Sequence, residues 1–380
     1  MLSRILAAAA LCHGASTPAA LTATQTQAID RHVESEMARQ QIPGLTLGVY
    51  RNGQAVLLKG YGFANIEHDV PATPDTVMQS GSIGKTFTAT LIMMLVEQGK
   101  LRLDDSVRTH LTGLPESWQG ITMAQLLSHT SGISDYDSEA LTGRDAPFDV
   151  RRDFSEQELV QKIGQLPLEA APGKTWEYRN ANYMLLGAVI RSVTGRFHGD
   201  VLAKEIFSPL GMTASRVISD QDIVRHRAAG YERRDGKLYN QQWVSPTFNA
   251  TADGTLYLTV RDIAHWDRAL CNASLVAPAT LAKMWTPYPV NGVVPAEGYG
   301  LGWFIRNHPS GPIVEHDGAW QGFTSYFAKY LGAGVSVAVF TNLHSDHSRP
   351  DLIGHAVAGL VDARLQDPEV AISASETAVR

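Results

Sequence analysis

Runs that read as β-strand stand near the two ends of this chain, with a long and mostly helical stretch between them. Leu45 to Tyr50 and Ala55 to Tyr61 flank Arg51-Asn52-Gly53-Gln54, and an Asn-Gly between two such runs is a strong hairpin signal. Near the other end, Leu301 to Arg306, Ile313 to His316, Phe323 to Tyr330 and Val335 to Thr341 alternate with Gly, Pro, Asn and Ser turns. They suggest an antiparallel meander. Helical spacing is found over Thr26 to Arg39, Ser82 to Val96, Met123 to Leu127, Phe154 to Ile163, Tyr183 to Val193, Gly199 to Ile206, Val260 to Ala269 and Leu352 to Leu365. Asp135 to Arg152 reads as a loop, and Gly254 to Thr259 as a further strand. The pattern predicts an α+β fold: one antiparallel sheet built from both ends of the chain, flanked by helices, with an inserted mainly helical domain. The sheet part is expected over about 25–75 and 250–366 and the helical part over about 76–249, with a loose tail at 367–380.

At 380 residues the chain can bury a large core, and its 44% hydrophobic and 18% charged residues with a net charge of −6 are ordinary for a globule. Nothing in that balance suggests nucleic acid or an anionic membrane as partner. Met1-Leu2-Ser3-Arg4 and the apolar Ile5 to Cys12, followed by small residues up to Ala20, predict a signal peptide over about residues 1–24. The expected location is therefore periplasmic or secreted, in a bacterium. No other segment is long and apolar enough to span a membrane. Removal of the leader past Cys12 would leave Cys271 as the one cysteine, with no intrachain partner.

Chemistry concentrates in Gln79-Ser80-Gly81-Ser82-Ile83-Gly84-Lys85-Thr86, at the start of the Ser82 helix. Ser82 and Lys85 are three residues apart and so share a helix face. A hydroxyl is a weak nucleophile until its proton is taken, and a lysine of lowered pKa one turn away can take it. The first-turn N–H groups suit a developing oxyanion. Two rival motifs fail. A P-loop requires glycine where Gln79 stands, a nucleophile elbow requires glycine where Ser80 stands, and both require a preceding strand that Pro71 to Thr76 does not supply. The bland alternative is that Ser82 caps a helix and Lys85 is solvated. A second candidate is Tyr178-Arg179-Asn180, whose alternation in an extended loop would point the phenol and the amide the same way. A third is Glu315-His316-Asp317-Gly318-Ala319-Trp320, where Gly318 would let a substrate backbone approach a strand closely.

Ser82-x-x-Lys85, Tyr178-x-Asn180 and His316-x-Gly318, in that order, resemble the serine β-lactamase and penicillin-binding-protein superfamily. The detail is similar to its class C branch, which includes D-alanyl-D-alanine carboxypeptidases, D-aminopeptidases and esterases. Ser80 to Ala89, Leu126 to Gly132, Asn180 to Gly187, Pro209 to Met212 and Tyr299 to Trp303 share the likeness, which spans roughly residues 28 to 365. The resemblance implies that Ser82 attacks a carbonyl while Lys85 and Tyr178 share proton transfer, either being the main base. It implies an oxyanion hole from the N–H groups of Ser82 and Ala319, with Asn180 near the acyl side chain or the Lys85–Tyr178 pair. It implies no metal or other cofactor, and a small-molecule or peptide substrate. His344, His347 and His355 are explained by a loop and a helix without a metal, and His129 reads as structural. Two positions depart from the many β-lactamases of the family: His316 stands where they carry lysine, and Asp317 where a hydroxyl residue is common. His316 would meet a substrate carboxylate only when protonated. Cleavage of an ester or a D-amino-acid peptide is therefore expected ahead of β-lactam hydrolysis, with a non-catalytic peptidoglycan- or peptide-binding homologue as the other alternative.

Overall fold

The computed structural model of the protein describes residues 19–137 and 139–366. The expected tail, Cys12 and most of the expected leader lie outside them. Helix α1 (Ala23–Gln40) is opened by Thr22, whose hydroxyl accepts from Gln25 N–H while the Gln25 side chain reaches back to the Thr22 N–H. Ile29, Val33 and Met37 form its buried stripe, as their spacing predicts. Strands β1 (Gly44–Arg51) and β2 (Gln54–Asn65) follow as a hairpin. Asn52 and Gly53 take φ of 50° and 77°, the two-residue turn that Asn-Gly favours. A short strand, β3 (Val70–Pro71), borders β2.

The middle of the chain builds a helical body around α2 (Gly84–Glu97), α3 (Met123–Leu127) and α4 (Asn180–Thr194). Helix α5 (Val260–Cys271) returns the chain to the sheet. Strands β4 (Gly298–Tyr299), β5 (Phe304–Arg306), β6 (Ile313–Trp320), β7 (Phe323–Tyr330) and β8 (Val335–Thr341) then complete it, and α6 (Pro350–Val361) closes the described chain. The sheet order is β3-β2-β1-β8-β7-β6-β5-β4, so β1 and β8 pair at its centre with Val49 opposite Val337. Every pairing in this sheet is antiparallel, as expected.

Both faces of the sheet are covered, and the period of two along each strand divides them. Leu45, Leu47, Val49, Val335, Val337 and Val339 pack with α1 and α6. Tyr50, Phe327, Ala338 and Phe340 pack on the other side with the helical body. There the Tyr50 hydroxyl donates to Val260 O at 2.7 Å, and Asp267 of α5 pairs with Lys329 of β7. Among the described residues no helix is long and apolar enough to cross a membrane.

Several elements differ from expectation. Strand β6 runs on to Trp320, which brings Asp317 to Ala319 into the sheet. Helix α4 begins at Asn180, so that residue belongs to a helix start instead of an extended loop. A short helix, Glu139–Thr142, interrupts the loop expected after Asp135. The hairpin Tyr231–Arg234 with Lys237–Asn240 was not foreseen, although Asp235-Gly236 marks its turn, because the flanking charged residues hide any apolar alternation.

The Asp267 and Lys329 side chains are 1% and 8% exposed, and Lys329 also donates to Ser336 at 3.1 Å. Removing one partner of such a pair strands the other charge. Asp267→Ala is expected to lower the unfolding free energy by about 3–5 kcal/mol in a urea titration. Asp75→Ala breaks a pair with Arg261 in which both side chains are half exposed, and is expected to cost under about 1 kcal/mol.

Candidate active site

Gly81–Ile83 form one 3-10 turn that runs directly into α2. The turn is gripped from two sides. On one, Ser80 N–H donates to Leu256 O at 2.8 Å and Ser80 Oγ to Gly254 O at 2.9 Å. On the other lies β6, which touches it through bare backbone. A Cβ on Gly318 would sit 2.2 Å from Ser80 O and 2.8 Å from Ser82 N, and one on Gly81 would sit 2.4 Å from Ala319 N. Glycine at both positions is a steric necessity. At Gly318 the backbone that approaches the strand is that of the protein's own Ser80–Ser82 turn.

Lys85 is fully buried one helical turn from Ser82. Its Nζ lies 2.9 Å from Ser82 Oγ, 2.7 Å from Asn180 Oδ1 and 2.5 Å from Asp253 O. The last two atoms are carbonyl oxygens and can only accept. A neutral amine therefore spends both N–H bonds on them, and its lone pair faces the Ser82 hydroxyl. Burial pulls the Lys85 pKa down to about 8, against the partial opposition of Asp253, Asp135, Asp317 and Asp137. The amine can thus accept the Ser82 proton near neutral pH, which the bland reading of a solvated lysine does not allow.

Tyr178 arrives from the loop before α4, and Asn180 is the first residue of that helix. Arg179, between them, is extended at φ −139° and ψ 119°. The Asn180 Oδ1 meets Lys85, while its Nδ2 donates to Asp137 Oδ2 at 3.2 Å. Asp135 fixes this helix start from a distant loop, accepting from Asn180 N at 2.5 Å and from Ala181 N at 3.0 Å. Burial, then repulsion from Asp137, pushes the Asp135 carboxyl up to about 6. Sequence reasoning missed Asp135, because a helix cap supplied from another segment leaves no local signature; the Asp253 carbonyl leaves none either. The Tyr178 ring lies 4.9 Å from Lys85 Nζ. Burial raises the phenol well above its ordinary pKa, though nearby Ser82 opposes this, so at neutral pH it is a proton donor and Lys85 is the stronger base.

His316 lies inside the protein. Its ring is completely buried. Nδ1 lies 2.7 Å from the Asp317 carbonyl, which places the ring proton there, so Nε2 accepts from the Tyr299 hydroxyl at 2.8 Å. Burial chiefly, with the charge of Lys85, lowers its pKa to about 3, although the Asp317 carbonyl opposes this. His316 is thus a neutral member of an aromatic layer with Tyr299, Phe304 and Tyr178, and does not meet a carboxylate as a cation. Asp317 is turned to the opposite face of the sheet, as strand alternation predicts.

Trp320 pairs with Phe323 across the Gln321-Gly322 turn, so Ala319 and Thr324 form the next, wide pair of the ladder. The Ala319 N–H consequently points off the free edge of β6, since β5 pairs only with Ile313 to Glu315. It lies over the nucleophile turn, beside the first-turn N–H of Ser82. A cleft of about 370 Å³ opens there, lined by Ser82, Asn180, Ala319, Tyr136, Asp137 and Asp253 among others. Among the described residues no group of three or more His, Cys, Asp or Glu is arranged to hold a metal, and His355 is engaged by Tyr326 and Tyr330.

A sheet made from both chain ends, with a serine at a helix start and a lysine one turn on, is the architecture of the serine β-lactamases and penicillin-binding proteins. The chain belongs to the β-lactamase family, whose model, described as Beta-lactamase, matches residues 29–360. It is 30% identical over 356 residues to "Protein flp" of Staphylococcus aureus (strain N315), covering 90% of this chain and 68% of that one. "Penicillin-binding protein 4*" of Bacillus subtilis (strain 168) is 27% identical over 322 residues, covering 81% and 70%. These relatives mark the class C-like branch. The octameric penicillin-binding protein homologue from Pyrococcus abyssi superposes with a TM-score of 0.76 at 30% identity, over 88% of this chain and 77% of that one.

Acylation of Ser82 is expected to accelerate as pH rises through about 8, where Lys85 loses its proton, and then to level off. Lys85→Arg should lower its rate about 10²–10⁴-fold, because a guanidinium cannot serve as base. The kcat/KM ratio of a carboxylate-bearing ester to a neutral ester should stay flat between pH 5 and pH 8, since His316 does not titrate there.

Proposed function

We propose that the protein is an exported serine hydrolase that cleaves an ester or amide, either a small ester or a D-amino-acid peptide, through an acyl-serine at Ser82. The observation that carries this reading is the trio of contacts on Lys85 Nζ: two carbonyl oxygens and the Ser82 hydroxyl surround it, so that once deprotonated the amine keeps its N–H bonds on the carbonyls and turns its lone pair to that hydroxyl. Ser82 Oγ attacks the substrate carbonyl as its proton passes to Lys85. The oxyanion is received by the N–H groups of Ser82 and Ala319. On collapse, the Tyr178 phenol protonates the leaving group and recovers its proton from the Lys85 ammonium. Water then attacks the acyl-serine with the same groups acting in reverse. Export rests on the leader read from residues 1–24.

The walls of the cleft support ester or amide cleavage over β-lactam hydrolysis. Its described lining carries Asp137 and Asp253 and no Lys, Arg or His. A β-lactam brings a carboxylate close to the scissile bond, which such a lining disfavours, whereas neutral and amine-bearing substrates are not penalised. The second reading, β-lactam hydrolysis, draws on the family and on the name of the Bacillus subtilis relative. A purely binding homologue has no use for an amine buried beside the serine.

Intact-protein mass after brief exposure to a penicillin, and separately to a short-chain p-nitrophenyl ester, tests the reading. Turnover of the ester that disappears in Ser82→Ala, with the variant still folded, is the expected result. Turnover that persists in Ser82→Ala moves the nucleophile elsewhere. Among amides, D-alanine p-nitroanilide is expected to exceed its N-succinyl form in kcat/KM by about tenfold or more, and Asp137→Asn should narrow that gap.

A further inference from the structure

His129 combines three features that the mechanism above leaves unused. It is a buried imidazole, 1% exposed, in the Ser128 to Gly132 segment. Its φ is 58°, a region that residues with a β-carbon seldom enter. Its Nε2 has no hydrogen-bond partner among the described residues.

The left-handed backbone turns the carbonyl and the side chain of this one residue toward the same loop. His129 O accepts from Glu177 N at 3.0 Å, and His129 Nδ1 accepts from Arg179 N at 3.2 Å. Those two donors flank Tyr178. A backbone N–H can only donate, so Nδ1 carries no proton and the ring is the Nε2–H tautomer. The Asn182 amide, also 3.2 Å from Nδ1, enforces the same choice, and Ser131 Oγ holds Asn182 at 2.6 Å. Burial chiefly, with the charge of Lys85, holds the ring well below the ordinary imidazole range. The neighbouring carbonyls carry the rest of the loop: Thr130 O accepts from Gly173 N at 2.7 Å and Gly132 O from Glu169 N at 2.8 Å.

The ring of His129 lies 4.3 Å from that of Tyr178, centroid to centroid, and Phe304 stacks parallel to the phenol at 6.1 Å. The Tyr178 hydroxyl, in contrast, is buried with Ser82 as its hydrogen-bonding neighbour, outside regular geometry, and among the described residues it has no fixed acceptor. The phenol is therefore held by its ring and by the backbone on either side of it, and not by the group that has to move a proton.

We infer that His129 is a positioning residue for proton transfer, fixing the chain on both sides of Tyr178 and one face of its ring so that the hydroxyl can be left without a permanent partner. The inference rests on the acyl-serine reading above. A hydroxyl tied to a fixed acceptor would lose that bond each time it served the leaving group. One clamped from behind has no such bond to lose.

The test is a double-mutant cycle on ester turnover. His129→Gly keeps the backbone conformation accessible and removes the ring with its acceptor. His129→Asn tolerates positive φ and retains an oxygen that can accept. Each is made with and without Tyr178→Phe in the full chain. Expected are a fall in kcat of about 10–100-fold for His129→Gly with KM little changed, and partial recovery in His129→Asn. Tyr178→Phe should then cost no more than about twofold in the His129→Gly background, far less than it costs alone. If His129→Gly does not fold, the cycle is read on His129→Asn, where the coupling should be smaller but present. Equal cost of Tyr178→Phe in both backgrounds, or a kcat within about twofold of wild type in His129→Gly, overturns the inference. Wild-type turnover that survives Ser82→Ala overturns the acyl-serine reading and this inference with it, whereas additive cycles alongside Ser82-dependent turnover overturn this inference alone.

Discussion

A lysine amine stripped of water beside a serine is the constraint on which the rest of the site depends. Among the described residues two lysines are buried, and the difference between them shows how the constraint is met. Lys329 touches the Asp267 carboxylate directly, a contact that ties α5 to the sheet. Lys85 touches no carboxylate. Its contacts are two carbonyl dipoles and a hydroxyl, and the acids that act on it, Asp253, Asp135, Asp317 and Asp137, do so through space. Dipoles orient an amine without committing it to one protonation state. A carboxylate in contact would hold the proton on, and the absence of any acid would make the charged state too costly to visit.

A second feature is the approach of the Ala319 and Ser82 backbone N–H groups to each other, and here steric bareness acts where polarity acts for Lys85. Gly318 and Gly81 bring a strand from the C-terminal part of the chain onto a helix start from the N-terminal part at distances no β-carbon would permit. The wide pair of the β6–β7 ladder leaves the Ala319 N–H unspent, and the early end of β5 leaves that edge open. The donor is thus a consequence of sheet register, fixed by the two-residue turn at Gln321-Gly322. A slip of one residue in that hairpin would aim the side chain of Ala319 and the ring of His316 at the wrong faces.

Much of this was legible in the sequence, for reasons that differ from residue to residue. Asn52-Gly53 declares its hairpin because positive φ at both positions is a local demand. Ser82 and Lys85 declare their proximity because helical spacing fixes it. Meeting at the centre of one sheet was legible for both ends of the chain because the strand-like runs lie at those ends. Charge states were not legible. His316 looked like a cation-in-waiting, and only the depth of its burial under Tyr299 shows a neutral ring. Asp135 and the Asp253 carbonyl escaped because their contacts join residues remote in the chain, and nothing local marks a carbonyl that will face an amine. Gly318 was legible as a place of close approach, while the turn that approaches it, Ser80 to Ser82, was not.

The pairing of β1 with β8 has a consequence for how the molecule comes into being. A ribosome delivers Ser82, Lys85 and Tyr178 long before it delivers Ala319, and β1 leaves the exit tunnel with one of its two hydrogen-bonding edges still unmatched. Until Val335–Thr341 follow, the hairpin of β1 and β2 cannot enter the centre of any sheet, and no strand backbone lies across the nucleophile turn. Ser82 thereby lacks the Ala319 N–H beside its turn until the C-terminal strands arrive. The same delay leaves the nascent chain with an apolar strand edge that nothing in its own sequence can yet cover, and the interval before closure is when it is most open to pairing with another chain.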